Sequence, residues 1–186
     1  MSEQTPGQAP ERIISSRMIY QGRILTLHVD EVALPDGRLT TREIVEHPGA
    51  VVIIAPDEQG RVAMVRQYRS AARRELLELP AGTREPGESD EACARRELAE
   101  EMGVTAATWR RVLGFYSAPG FCTEYLTVFL ATGLSPVANV PEADETIRRE
   151  WIDLALVPAM IARGDIRDAK SIAGLLWYLH GAEGSD

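Results

Sequence analysis

The run "AVVIIA", residues 50–55, constrains the fold more than any other stretch of the chain. Its apolar residues do not alternate with polar ones, so a strand built from them must be covered on both faces, which requires a layered α/β architecture. A turn, "PDEQG", and a second strand, "RVAMVRQY", follow, and the main sheet is expected to begin with this pair. "ELLELPAG" predicts a short strand ending at Pro80, and strand patterns recur at "WRRVLGFY", "YLTVFLAT" and "REWIDL". "VPAMIARG" reads as a short helix. "DAKSIAGLLWYLHG" reads as a longer one, with Asp168 as N-cap, Gly181 as its stop, and Ile172, Leu175, Leu176 and Leu179 along the buried stripe.

With 186 residues and 45% hydrophobic content the chain can bury a substantial core, and the simplest organisation is one domain with a small appendage. Residues 1–12 and 182–186 are polar and read as flexible tails. Residues 13–47 alternate in short bursts around a "PDGR" turn, with Leu25, Leu27 and Val29 on one face and Thr26, His28 and Asp30 on the other, which predicts an antiparallel β meander. Residues 48–181 form the main domain. The net charge of −8 argues against nucleic acid or an anionic membrane as partner, and two cysteines without a signal peptide or long apolar run predict a cytoplasmic location.

A third helix is expected from near Ser89, with Asp90 and Glu91 in its first turn, to Gly103; Ala94, Leu98 and Met102 face the core. It crowds Glu97, Glu100 and Glu101 together. Like charges at this spacing cost a few tenths of a kcal/mol on an exposed helix and more when partly buried. Either a solvated acidic face, partly neutralised by Arg96 four residues before Glu100, or a site for a hard divalent cation would account for them, and spacing alone does not choose.

The surrounding residues do. Gly82, five residues, Glu88, seven residues, and then Arg96-Glu97-Leu98-Ala99-Glu100-Glu101-Met102-Gly103-Val104 match nine specified positions over 23 residues of the signature of the Nudix hydrolases. The resemblance implies an α/β/α sandwich of the α/β (α+β) class with a mixed central sheet. It implies hydrolysis of a nucleoside diphosphate linked to another group, with Mg²⁺ or Mn²⁺ as cofactor. On this chain it makes Glu97, Glu101, Glu100 and the carbonyl of Ala81 metal ligands, with Arg96 orienting the glutamates and Glu88 and Gly103 structural.

"VEHPGAVVI", "VRQYR", "LELPAG" and "SAPGF" followed by Glu124, together with Pro119 at 15 positions after Val104, resemble the ADP-ribose pyrophosphatase branch of that family. The stretch Cys122-Thr123-Glu124 departs from the more usual aspartate-glutamate ending. The resemblance implies a homodimer across which the 13–47 meander is exchanged, and substrate contacts from Arg69, Glu78, Pro119, Gly120 and Glu124. It places the general base in the acidic loop "PEADETIRREW", with Glu145 first and Glu142 second; Glu100 on the helix is a further catalytic candidate. The implied reaction is Mg²⁺-dependent hydrolysis of ADP-ribose to AMP and ribose 5-phosphate. Another nucleotide sugar or a dinucleotide as substrate, or a catalytically inactive binding module, are the alternatives. His28, His47 and His180 form no pair at ligand spacing and are assigned structural or surface roles; Cys93 and Ser117 lack the partners of a reactive nucleophile.

Overall fold

The computed structural model describes residues 11–137 and 147–181. They form two compact units, one of residues up to Pro48 together with Ala118–Glu124, the other of Gly49–Ser117 and residues from Tyr125 onward.

The first unit is an antiparallel meander of β1 (Arg12–Gln21), β2 (Thr26–Ala33) and β3 (Leu39–Glu46), in that spatial order. The "PDGR" turn joins β2 to β3 with Gly37 at φ 84°, a left-handed conformation that glycine adopts without strain. On β2 the covered face is the one carrying Asp30 and Val32, so the more polar of the two predicted faces is the buried one. Asp30 Oδ1 has no hydrogen-bond partner among the described residues, and leaving it so costs stability. The segment Ala118–Glu124 adds to this unit through a parallel bridge between Val45 and Cys122.

The second unit contains β4 (Ala50–Ile54), β5 (Arg61–Arg69), β6 (Arg74–Glu78), β7 (Ala81–Thr83), α1 (Asp90–Met102), β8 (Val104–Tyr116), β9 (Tyr125–Pro136), β10 (Arg148–Asp153), α2 (Val157–Arg163) and α3 (Ala169–Gly181). One sheet is mixed, ordered β7-β4-β9-β8 with β4 parallel to β9; the other, β10-β5-β6, is antiparallel. As expected of its sequence, β4 is covered on both faces. Val51 and Ile53 pack with Cys93, Ala94, Leu98 and Met102 of α1, whereas Val52 and Ile54 pack with Val157 of α2 and Leu175 of α3.

Four details differ from the sequence expectation. The segments 50–55 and 61–68 do not start one sheet together. Pro56 has no N–H to donate, and the Asp57 carboxylate takes the N–H groups of Gln59 (2.9 Å) and Arg61 (2.8 Å), so the chain turns out of the ladder and β5 joins the other sheet. "ELLELPAG" divides into β6 and β7, which lie in different sheets, because Pro80 interrupts the ladder; its carbonyl instead accepts the Ile53 N–H at 2.8 Å. Strand β8 begins at Val104, directly after the helix, rather than at Trp109. On α3 the fully buried residues are Ser171, Gly174 and Leu175; of the predicted stripe Leu175 is fully enclosed, while Ile172 and Leu179 are partly buried against the core. A Cβ at Gly174 would lie 2.9 Å from Leu79 Cδ1, so the glycine admits that close approach.

Truncating Ile53 to alanine should cost about 3 kcal/mol, because the side chain is fully enclosed and its removal leaves a cavity. Urea unfolding followed by circular dichroism measures it, with the midpoint falling and the slope unchanged.

Candidate functional site

The site is built on α1. Ser89 caps the helix, its Oγ accepting the Ala92 N–H at 3.2 Å, and Gly103 ends it in the left-handed conformation at φ 69° with its N–H on Ala99 O. The last turn contains no basic residue, although it needs one to balance the helix dipole. Arg149 of β10 supplies the charge, donating from Nε to Glu101 O at 2.7 Å and from Nη2 to Glu100 O at 3.3 Å. Nothing in the local pattern around "RREW" links that arginine to α1.

Arg96 gathers the carboxylates. Its Nε and Nη2 hold Glu88 at 3.0 and 3.1 Å, while Nη1 reaches Glu97 Oε1 at 2.7 Å and Glu100 Oε2 at 2.9 Å. Hydrogen bonding to Glu88, then the charge of Glu97 and the bond to Glu100, raises the Arg96 pKa against the opposing effect of burial. Glu97 lies against the Gly82 backbone. A Cβ at that glycine would fall 1.9 Å from the Glu97 carboxyl carbon, so no other residue type fits there without moving the acid. Glu101 is 5% exposed, and its Oε2 accepts the Ala81 N–H at 3.0 Å. Beneath them, burial pushes the Cys93 thiol up to about 12, which leaves it unreactive.

The donor set suits a hard divalent cation. It consists of carboxylate oxygens beside backbone amides, and a single guanidinium balances Glu88, Glu97 and Glu100 together. Among the described residues no three acids, histidines or cysteines are placed to hold one metal ion; Glu97 and Glu100 are drawn to Arg96, and Glu101 accepts the Ala81 N–H.

Of the other candidates, Arg69 and Glu78 bind each other in a bidentate pair at 2.8 and 2.7 Å, with Glu78 only 1% exposed. Pro119, Gly120 and Glu124 belong to the first unit. There Glu124 Oε1 lies 3.6 Å from His47 Nδ1, and His47 lines a cleft of about 400 Å³ with Ile24, Thr26, Glu46, Pro48 and Thr123. A lone histidine carries no spacing signal, so nothing in the sequence points to this cleft. Glu142 and Glu145 lie outside the described residues.

Hydrogen bonds from Arg96 hold the Glu88 carboxyl below its ordinary value of 4.5 against the opposing effect of burial. At Glu78 burial pushes upward, but Arg69 and Lys170 outweigh it and the net shift is also downward. Depressed folded-state values mean that the unfolded chain binds more protons in acid, so this stabilisation is present above about pH 4.5 and is lost as pH falls through the folded values. Denaturant midpoints measured across that range should fall with pH in the wild type, and fall less steeply in Glu88→Gln.

A nucleoside diphosphate sugar hydrolase N-terminal domain matches residues 11–45, and a NUDIX domain matches residues 46–175. An ADP-ribose pyrophosphatase of Mycobacterium tuberculosis is 44% identical over 168 residues, covering 88% of this chain and 80% of that protein. One from Bacillus subtilis is 39% identical over 163 residues, covering 87% and 88%. A crystal structure of an ADP compounds hydrolase shares the fold, with a TM-score of 0.86 at 20% identity over 97% of this chain and 98% of that one. Among the described residues no helix is long and apolar enough to cross a membrane. The domain match spans well over half of the sequence and encloses the whole of α1 and the Gly82 contact that shapes it; the chain belongs to the NUDIX domain family.

Proposed function

We propose that this chain hydrolyses ADP-ribose to AMP and ribose 5-phosphate by attack of water on the diphosphate. The observation that carries the reading is the acidic face of α1, seated on the Gly82 backbone and gathered by one arginine, in a chain similar to two ADP-ribose pyrophosphatases. Glu97, Glu100, Glu101 and the carbonyl of Ala81 would hold a divalent cation, Mg²⁺ with Mn²⁺ as substitute. Bound there, it supplies charge neutralisation for the diphosphate and a lower pKa for the attacking water.

The chain's own residues do the rest. Arg69 grips the diphosphate, with Glu78 behind it, and Pro119, Gly120 and Glu124 belong to the substrate-binding set. The water oxygen forms a bond to one phosphorus as the bridging P–O bond breaks, and the departing phosphate oxygen keeps the electron pair. Glu145, with Glu142 as second choice, takes the water proton. Glu100 is the alternative on the helix.

The same reading makes the protein a cytoplasmic homodimer in which the N-terminal meander is exchanged between subunits. Supporting this, β1 is exposed along its whole length, with Ile13, Ile14, Met18, Ile19 and Tyr20 uncovered, an apolar area that a monomer rarely leaves bare. Light scattering on the purified chain should return twice the 20.5 kDa of one subunit. A monomer at micromolar concentration would rule the exchange out.

Released mononucleotide, assayed with Mg²⁺ on ADP-ribose, GDP-mannose, UDP-glucose, NADH and diadenosine polyphosphates, tests the substrate. ADP-ribose should be turned over best, and equal turnover of a non-adenine sugar would overturn the assignment. Glu97→Gln and Glu101→Gln should each lower kcat by several orders of magnitude, whereas Glu88→Gln should do much less.

A further inference from the structure

The Arg69–Glu78 pair extends inward to α3. Lys170 Nζ donates to Glu78 Oε2, the oxygen that also accepts Arg69 Nη2, and to Asp168 Oδ2 at 2.9 Å. The same Asp168 oxygen accepts the Ser171 N–H at 3.0 Å and the Ser171 hydroxyl at 2.6 Å. Ser171 Oγ in turn accepts the Leu79 N–H at 2.7 Å. The first turn of α3 therefore holds two consecutive residues, the Glu78 carboxylate and the Leu79 amide, just ahead of the Ala81–Gly82 backbone that meets Glu101 and Glu97.

Exposure divides this network by role. Glu78 is 1% exposed and Lys170 13%, whereas the Arg69 side chain keeps 41% of its surface open. Glu78 occupies Nε and Nη2 of the guanidinium. Among the described residues Nη1 has no hydrogen-bond partner, which leaves it for a ligand, and it points where the plane of the Glu78 carboxylate sends it. A carboxylate held by Arg69 alone could rotate with it as one body. With Lys170 on Oε2 and Asp168 behind Lys170, that rotation would break buried charge-assisted hydrogen bonds, which is costly in a low-dielectric interior.

We infer that Lys170 is a positioning residue for the diphosphate grip, setting through Glu78 the plane in which Arg69 presents its guanidinium. The inference rests on the activity proposed above, in which Arg69 contacts the diphosphate. It requires the Lys170 effect to pass entirely through Arg69, which a merely structural lysine would not do.

A double-mutant cycle on the full chain tests this, with Arg69→Ala, Lys170→Met and the double variant. The readouts are ADP-ribose kinetics and calorimetric affinity for ADP with Mg²⁺. Lys170→Met should raise KM and the ADP Kd on the order of tenfold with kcat changed far less, and should add nothing in the Arg69→Ala background. If Lys170→Met does not fold, Asp168→Asn keeps a side-chain acceptor for the cap while removing the negative charge that faces Lys170. It should weaken ADP binding less, and again only when Arg69 is present. Penalties that multiply, an unchanged KM and Kd in the variant that folds, or an Arg69→Ala that binds ADP like wild type would overturn the inference. Failure of the wild type to hydrolyse ADP-ribose, with the coupling on ADP intact, would sink the activity and leave the role of Lys170 standing. Hydrolysis without coupling would do the reverse.

Discussion

Three glutamates meet one guanidinium at Arg96, and the arrangement of α1 depends on that meeting. Carboxylates at neighbouring positions of a helix repel, and in a partly buried setting they would protonate or splay apart. A planar, permanently charged fork is the side chain best suited to hold them ionised in defined directions, and a lysine in its place would lack the fixed planar geometry that sets those directions. Glu88 comes from the turn before the helix, so the same contact also ties the loop to α1.

Around that contact the chain immobilises the backbone rather than adding more side chains. Gly82 lets a carboxylate rest on the strand, Ala81 donates its amide to Glu101, and Arg149 closes the far end of the helix. The first two links join α1 to β7 and the third joins it to β10. The acids are consequently carried on a rigid element, which suits phosphoryl chemistry, where positioning and electrostatics do most of what catalysis requires.

Much of this was legible in the sequence where the signal is local. Ser89 and Gly103 bracket α1 as their capping chemistry predicts, and the unbroken apolar run of β4 is covered on both faces. The spacing from Gly82 to Gly103 pointed to the acidic cluster before any contact was known. Long-range features were not legible. No periodicity announces that β6 and β7 separate into two sheets, that Gly174 lets α3 approach Leu79 closely, or that an arginine some fifty residues away closes α1. Burial on β2 also ran against hydropathy, because the face chosen was the one with Asp30.

The switch of sheets at Pro80 has a consequence for how the protein folds. Glu78 belongs to a ladder built by residues close in sequence, whereas Ala81 and Gly82 join a sheet whose β4–β9 pairing spans a long stretch of chain. Non-local parallel pairing carries a high contact order and forms slowly, after the hairpins. The backbone on which Glu97 and Glu101 rest is thus held by pairings far more distant in sequence than the β5–β6 hairpin, and a chain in which those pairings are open would carry the acids without the surface that aligns them.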